Sequence, residues 1–437
     1  MEAAAGRRRD LLHILRAALD AIEPGALVTA ALSSGAMASV PSTSLFLVAA
    51  GKAAWPMACA FAADRERAAA DTANAAVVRG IVSGPRGGGA LPSGFELFDG
   101  AHPYPDAQSE AAGRRALELA AESRSNGALV VLLSGGASSL LAVPADGLTL
   151  QDKVITTGVL MNAGVPIAGL NCVRKHLSAI KGGRLAAAAG RSVTLAISDV
   201  HDPVPDDPAV IGSGPTAGDP TTFEDALAVI LQAGVGRGIP AAVVRHLADG
   251  VDDTPAPGDP SLAESFFHVI GTRHVAMQAA ARAARARGYT AIALHDATMG
   301  EARTAGAAFA SQALAAARAH RRPVCVIASG ETTVRVTGTG RGGRNQEFAL
   351  GAIPVVAQFP SLAVLASAGT DGVDGPTDAA GAIIDTQSAG RAAAAGVDPA
   401  AALTNNASYD FFRALGDLIV WGPTGTNVGD IHVMLIE

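Results

Sequence analysis

Short apolar runs alternate with alanine-rich stretches along most of this chain. The apolar runs are predicted to be β-strands at residues 45–50, 75–82, 128–133, 192–198, 266–270, 289–294 and 324–329. The stretches between them are predicted to be α-helices at residues 52–70, 109–124, 151–163, 171–189, 272–287 and 300–319. Because strands and helices alternate, the pattern predicts parallel βαβ units with helices on both faces. Residues 332–338 alternate polar and apolar side chains, which predicts an antiparallel strand with one face in water.

The length of the chain indicates two domains, since 437 residues exceed what one hydrophobic core usually organises. Residues 249–264 are rich in Pro, Asp and Gly, a composition typical of a linker. We therefore predict an N-terminal α/β domain at residues 1–255 and a C-terminal α/β domain at residues 262–437.

Composition narrows the class of protein. Hydrophobic residues make up 49% and charged residues 17%, which favours a folded globular enzyme over a disordered chain. A net charge of −7 disfavours a broad nucleic-acid surface. The three cysteines lie far apart, as in a protein of the reducing cytosol. With no apolar run of about 20 residues, we expect a cytoplasmic protein that does not enter a membrane.

Five glycine-rich loops with charged or hydroxyl side chains each accompany a predicted strand. They lie within residues 46–56, 129–141, 324–347, 362–375 and 420–430. Ligands of α/β proteins bind beyond the carboxyl ends of strands, so these loops predict the rim of an active site. Their cations, hydroxyls and bare backbone N–H groups are those of a phosphate-transfer site.

The first two loops supply candidates for anion binding. Lys52 follows Gly51 between a strand and a helix, although Phe46 and Ala53 break the P-loop pattern. Ser134, Gly135, Gly136 and Ser138 follow a strongly apolar strand and offer consecutive N–H groups and hydroxyls. The alternatives are an ordinary surface lysine and a tight turn in which a serine caps a helix.

Two carboxylates stand directly at predicted strand ends. Asp199 is positioned to act as a general base or a magnesium ligand, and Asp371 to hold magnesium. Other acids of the same loops adjoin prolines or glycines, and they are more typical of turns.

The segment 338–347 contains Gly338, Gly340 and Gly343, which formally match the dinucleotide pattern G-x-G-x-x-G. No acidic residue follows about 20 residues later to bind a ribose. Arg341 and Arg344 instead favour a clamp for a polyphosphate or carboxylate, the alternative being a flexible turn with exposed arginines. Asn345 at the predicted helix start, and Thr424 and Asn427 in the last loop, are further candidates for contacting a nucleotide.

The ordered set of motifs resembles the glycerate 2-kinase family over nearly the whole chain. It comprises VAAGKAA, LLSGGASSLL, NCVRKHLSAIKGGRLA, SDVHDPVPDDPAVIGSGPT, SGETTVRVTGTGRGGRNQEFAL, ASAGTDGVDGPTDAAGA and GPTGTNVGDI. The resemblance implies a Rossmann-like parallel N-terminal domain, a smaller mixed-sheet C-terminal domain called MOFRL, and an active site in the cleft between them. It also implies phosphorylation of D-glycerate at its 2-hydroxyl by ATP, with Mg²⁺ or another divalent cation.

The resemblance also implies roles for the candidates. Lys52 and Arg344, rather than Arg341, are expected to stabilise the transferred phosphoryl group. Asp199 is expected to take the hydroxyl proton or to bind the metal. His102, Lys175 or Arg184 is expected to orient the glycerate carboxylate. The sequence leaves open which domain holds the nucleotide and whether the protein is a monomer or a homodimer. The rival interpretations are an NAD(P)H-dependent hydroxypyruvate reductase and a metabolite-binding regulator without turnover.

Overall fold

The computed structural model describes residues 2–40, 44–71 and 77–437, which form two compact units. The N unit is Pro24–Gly271, and the C unit joins Met1–Glu23 to Thr272–Glu437. Helix α1 (Glu2–Asp20) belongs to the C unit because Arg8 Nη1 donates to Asp417 Oδ1 at 2.6 Å. The domain boundaries at residues 255 and 262 stay a prediction. The two compact units divide the chain between residues 23 and 24 and between residues 271 and 272.

The N unit is built on a six-stranded sheet in which every pair of neighbours is parallel. Its strands are β1 (Ser44–Ala50), β2 (Val77–Ser83), β3 (Phe95–Phe98), β4 (Ala128–Leu133), β5 (Arg191–Ile197) and β6 (Glu264–Gly271). The order β3-β2-β1-β4-β5-β6 is that of the dinucleotide-binding doubly wound fold. The predicted Rossmann-like parallel sheet is thus confirmed, and the strand order reverses between β1 and β4.

Helices pack around this sheet. They are α2 (Pro24–Ser33), α3 (Ala54–Asp71), α4 (Ala107–Asn126), α5 (Ala137–Leu140), α6 (Leu150–Asn162), α7 (Ile167–His176), α8 (Arg184–Ala189), α9 (Phe223–Gln232) and α10 (Ala241–Asp249). The prediction of one helix over 171–189 is wrong. Helix α7 ends at His176, and α8 begins at Arg184 directly after Gly182 and Gly183, whose φ of +56° and +82° is left-handed.

The C unit carries a mixed six-stranded sheet, as predicted for the second domain. Its strands are β7 (Thr290–Ala293), β8 (Val324–Gly330), β9 (Ala363–Gly369), β10 (Gly381–Asp385), β11 (Leu418–Ile419) and β12 (Asp430–Ile436). The order is β11-β10-β9-β12-β8-β7, and only the β7–β8 pair is parallel within this described sheet.

The helices of the C unit follow α1 in chain order. They are α11 (Arg273–Ala286), α12 (Ala302–Arg318), α13 (Arg344–Val356), α14 (Ser388–Ala394), α15 (Pro399–Thr404) and α16 (Ser408–Leu415). Within the described part of the chain, no helix combines the length and the apolarity needed to cross a bilayer.

The antiparallel strand predicted at residues 332–338 is wrong. Only an isolated bridge at Thr333 interrupts an irregular segment there. A single side chain binds this backbone: Asn406 Oδ1 accepts from Thr337 N at 2.8 Å and from Gly338 N at 2.9 Å. Asn406 Nδ2 donates in turn to Arg335 O at 3.2 Å. An asparagine far along the chain thus replaces a partner strand.

Candidate active site

Two loops of the N unit meet where the strand order reverses. Residues 51–53 follow β1, and residues 134–136 follow β4. Lys52 N donates to Gly135 O at 2.9 Å, and Ala53 N donates to Ser134 Oγ at 3.0 Å. These bonds join the two loops at the carboxyl edge of the sheet, which is the usual ligand position in such folds.

The glycines of these loops permit close approaches. A β-carbon on Gly51 would lie 2.5 Å from Ser134 O. One on Gly135 would lie 3.2 Å from Asp199 Cγ and would collide with Asp199 Oδ2. The Asp199 carboxylate therefore rests directly against the 134–136 backbone, two residues beyond the end of β5.

Gly136 brings two exposed side chains to the same loop. It adopts φ +88°, and a β-carbon there would lie 3.1 Å from His102 Cδ2 and 3.7 Å from Lys52 Cγ. The structure thus gathers Lys52, His102 and Asp199 around residues 134–136. Partial desolvation and the positive charges of Lys52 and Arg174 hold the pKa of His102 below its ordinary value, which favours the neutral imidazole.

Ser138 lies one turn beyond the glycines, in a hydrogen-bonded network. Its Oγ lies 2.8 Å from Ser213 Oγ, and Ser213 Oγ donates to Asn171 Oδ1 at 3.2 Å. Lys181 Nζ donates to Ser138 O at 2.6 Å and to Ser138 Oγ at 3.1 Å. The network fixes the hydroxyl of Ser138 and the ammonium of Lys181 relative to each other.

Lys175 and Arg184 have protein partners elsewhere in the N unit. Lys175 is buried and donates to Asp219 Oδ1 at 2.7 Å, while Arg184 Nη2 donates to Asp252 O. The Lys175–Asp219 pair neutralises a buried charge, which is the normal condition for such a group. Their predicted contact with a substrate carboxylate stays a prediction.

In the C unit, Arg344 stands at the first position of α13 and is held by two carboxylates. Its Nε and Nη2 donate to Asp430 Oδ2 and Oδ1 at 2.7 and 3.0 Å, and its Nη1 lies 2.7 Å from Glu331 Oε1. Burial opposes the charged guanidinium, but these ion pairs outweigh burial and raise the pKa of Arg344 above its ordinary value. The arginine is therefore charged and fixed in orientation.

Asp374 accepts hydrogen bonds from the start of the same helix. The backbone N–H groups of Asn345 and Gln346 donate to its carboxylate at 3.0 and 2.9 Å. Burial is the largest influence and raises the pKa of Asp374 to about 6 despite these bonds. Asn345 is itself buried, and its Nδ2 donates to Asp430 Oδ1 at 2.9 Å. Asn345 therefore braces the acids that surround Arg344.

The loop candidates Thr424 and Asn427 contact the loop that follows β9. Thr424 Oγ1 donates to Thr370 O at 2.6 Å, and Thr424 N donates to Asp371 O at 3.1 Å. Asn427 Oδ1 accepts from Gly429 N at 3.1 Å. Asp371 Oδ1 accepts from Val373 N at 3.1 Å, which orients its carboxylate.

The glycines at 338 and 340 pack against protein backbone. A β-carbon on either would lie 2.5 Å or less from the backbone of Asn405, and Gly340 N donates to Asn405 O at 2.8 Å. Arg341 stacks on the ring of Tyr409, with 4.1 Å between its Cζ and the ring centroid. This packing accounts for glycine at both positions without a ligand.

Glu331, Asp371, Asp374 and Arg344 line an open cleft of about 640 Å³ in the C unit. Its lining includes Glu331, Thr332, Gly343, Arg344, Asp371 and Asp374. The buried hydroxyl of Thr332 has no hydrogen-bond partner among the described residues. A cleft of this volume accommodates a ligand of nucleotide size.

Comparison with known proteins identifies the family. Residues 10–248 match the family described as a domain of unknown function, DUF4147, and residues 324–430 match the MOFRL family. A D-glycerate 2-kinase of Thermotoga maritima is 38% identical over 398 residues, which cover 90% of each chain. The chain belongs to the glycerate 2-kinase family.

Other members of the glycerate 2-kinase family also match most of this chain, but they carry different names. An Agrobacterium vitis protein provisionally named hydroxypyruvate reductase is 41% identical over 360 residues, 80% of each chain. The crystal structure of a glycerate kinase from Thermotoga maritima matches with a TM-score of 0.87 at 35% identity. That match covers 99% of this chain and 100% of the other.

Sequence reasoning gave no site role to three basic residues of this glycerate 2-kinase family member that share a pocket: Lys153, Arg174 and Lys181. They line one pocket of the N unit beside Ser138. A signal was present, since only four of the 33 Lys and Arg residues are lysines, and all four lie in the N unit. Lys153 also occupies a buried stripe of α6 together with Thr156 and Leu160.

The carboxylates of the C-unit cleft could bind a divalent cation only together with other ligands. Among the described residues, no group of three His, Cys, Asp or Glu side chains could hold a metal ion. Mg²⁺ in phosphoryl-transfer sites usually takes one or two carboxylates, and substrate phosphates and water complete its coordination. Asp371 suits that arrangement, whereas the oxygens of Asp374 are engaged by the backbone of α13.

Proposed function

We propose that this protein transfers the γ-phosphoryl group of ATP to the 2-hydroxyl of D-glycerate. The observation that carries the proposal is the match to a D-glycerate 2-kinase along nine-tenths of both chains. The chemistry of the two candidate sites agrees with it, because both reactants are anions and the loops present cations and N–H groups.

In the N unit, we assign the chemistry of the hydroxyl group to Asp199 and Lys52. The Asp199 carboxylate takes the proton of the 2-hydroxyl as the oxygen bonds to the γ-phosphorus of ATP. The bond from that phosphorus to the β–γ bridging oxygen breaks, and ADP leaves. Lys52 and the N–H groups of Gly135 and Gly136 neutralise negative charge on the transferred group.

In the C unit, we assign Arg344 to the phosphoryl group as well. Its two carboxylate partners fix the direction of the guanidinium, so no reorganisation accompanies the reaction. Asp371, and Asp199 as a second candidate, would hold Mg²⁺, which would neutralise charge on the phosphates when bound. Arg341, Gly343, Asn345, Thr424 and Asn427 remain proposed nucleotide contacts, whereas the N–H groups of Gly338 and Gly340 already donate to Asn406 and Asn405.

Hydroxypyruvate reduction is less compatible with the loops. The N-unit sheet has the dinucleotide-binding order, but its β1–α3 turn reads AAGKAA and lacks the glycine pattern that binds a pyrophosphate. The G-x-G-x-x-G pattern lies in the C unit, where Gly338 and Gly340 pack on Asn405. The kinase interpretation uses the lysine of this turn, and the reductase interpretation leaves it without a role.

Two assays on the purified protein separate the functions. We expect ADP release that requires D-glycerate, and no oxidation of NADH or NADPH with hydroxypyruvate. The Lys52→Ala variant should lose on the order of 10²-fold in turnover, because a preorganised charge is removed. Arg237→Ala removes an exposed cation of the same unit and serves as the control. Full turnover of Lys52→Ala would exclude the role given to Lys52.

The remaining properties are proposals of the same kind. We propose a cytoplasmic enzyme that acts on small molecules as a monomer or homodimer. Light scattering after size-exclusion chromatography measures the oligomeric state, and fractionation of the source cells measures the location.

A further inference from the structure

The N unit contains a second cationic cluster, which we call the cation pocket: Lys153, Arg174 and Lys181. Lys153 comes from α6, Arg174 from α7, and Lys181 from the loop before α8. The wall of the pocket also includes Tyr104, Ser138 and Ser139. Three basic side chains from separate segments thus face one concavity.

No carboxylate of the described residues balances this charge through an ion pair. Lys153 and Lys181 are only 6% and 3% exposed. In the part of the chain that the structure describes, no ion pair links any of the three to an acid, whereas nearby Lys175 is paired with Asp219 at 2.7 Å. Buried cations are normally paired, so the cation pocket is short of negative charge.

The lysines of the cation pocket donate only some of their N–H groups to protein oxygens. Lys153 Nζ donates to Leu177 O at 2.9 Å and to Val143 O at 3.5 Å, and Lys181 Nζ donates to two oxygens of Ser138. An ammonium has three donors, so each has one for a ligand. Within the described structure, Arg174 donates a single side-chain hydrogen bond, to Met161 Sδ at 4.0 Å.

The electrostatics agree with this geometry. Burial, and secondarily the charge of Arg174, lowers the pKa of Lys153 to about 7. Burial and the charges of Lys153 and Arg174 lower the pKa of Lys181 well below its ordinary value. A bound anion would reverse these effects by supplying the missing counter-charge.

We propose that the cation pocket binds the carboxylate of the small 2-hydroxy acid that the enzyme phosphorylates. This inference rests on the proposed function. The pocket adjoins the loop of Lys52: Ser138 is two residues beyond Gly136, and both Lys52 and Arg174 act on the pKa of His102. In a 2-hydroxy acid the carboxylate is bonded to the carbon that carries the reacting hydroxyl, so the two binding regions must be neighbours.

Arg174→Met is the informative variant, because within the described structure Arg174 donates no hydrogen bond to a protein oxygen. We expect KM for D-glycerate to rise roughly 10- to 100-fold, as for loss of a hydrogen bond to a charged group, while KM for ATP stays unchanged. Lys181→Met should act in the same direction, Arg174→Lys should recover part of the affinity, and Arg237→Ala should change neither constant.

Calorimetric titration with D-glycerate in the absence of ATP separates this inference from the proposed function. Wild-type binding that weakens in Arg174→Met supports the cation pocket even if no phosphoryl transfer is detected. The inference is overturned by an increase in KM for ATP alone, which would indicate a phosphate site. It is also overturned if folded Arg174→Met binds D-glycerate like wild type, or if wild type does not bind it.

Discussion

Replacing Lys153 by methionine removes a buried ammonium and so changes how the stability of the N unit depends on pH. Lys153 is 6% exposed, and its Nζ donates to two backbone carbonyls. The charged groups that act on it are Arg174, Glu110 and Lys181. Burial and Arg174 lower its pKa to about 7 in the folded protein, from an ordinary value of 10.5.

The sign of the effect follows from proton binding. Between pH 7 and pH 10 the unfolded chain keeps the Lys153 proton while the folded chain loses it, so the free energy of unfolding rises with pH. For a shift of this size, the contribution of Lys153 between pH 7 and pH 9 is about 2 kcal/mol. This term is absent from Lys153→Met, whose other titrating groups are shared with wild type.

Urea unfolding of both proteins at pH 7, 8 and 9, followed by circular dichroism, measures the difference. We expect the stability of wild type relative to Lys153→Met to increase by about 2 kcal/mol over this range. Lys175→Met serves as a contrast, because Lys175 has a buried carboxylate partner. A difference between wild type and Lys153→Met that does not change with pH would refute the claim that Lys153 is buried without an ion-pair partner.

Three further predictions concern turnover and metal dependence. Gly135→Ala should lower kcat by about tenfold or more, because the new methyl group displaces the Asp199 carboxylate. Gly158→Ala, which has open space around it, should leave kcat unchanged. Equal kcat values for the two variants would contradict the placement of Asp199 against Gly135. Arg344→Lys keeps the charge but loses the paired bonds to Asp430 and should lower kcat on the order of 10²-fold. Arg341→Lys should lower kcat less, and the reverse ranking would move the role to Arg341. Chelation of divalent ions should abolish ADP release, and Asp371→Asn should raise the Mg²⁺ concentration for half-maximal activity roughly tenfold; an unchanged requirement would exclude Asp371 as a ligand.

Sequence patterns predicted the features of this fold that depend on residues close together in the chain. The apolar runs at 45–50 and 128–133 coincide with β1 and β4, because strands buried on both faces read as continuous apolar segments. The lysine and glycine loops that follow them were also visible. Periodicity could not reveal that α7 ends at His176 and a separate helix begins after Gly183, or that Asn406 binds the backbone of 335–338 in place of a partner strand.

The sequence also could not predict which charged side chains form ion pairs with each other. Lys175 and Arg174 are adjacent in the chain, yet Lys175 meets Asp219 while Arg174 faces the cation pocket. Helical geometry sends neighbouring side chains in different directions, and the acid that meets one of them comes from a remote loop. The basic run at 174–184 therefore indicated charge without showing which members are neutralised by the protein.

The position of the phosphate in the product tests the central claim most directly. After incubation of the enzyme with ATP and D-glycerate, enolase added without a phosphoglycerate mutase converts only 2-phosphoglycerate to phosphoenolpyruvate. We predict phosphoenolpyruvate that rises in proportion to ADP, with both lost together in Lys52→Ala. ADP formed without phosphoenolpyruvate until the mutase is added, or no ADP at all, would contradict phosphorylation of the 2-hydroxyl.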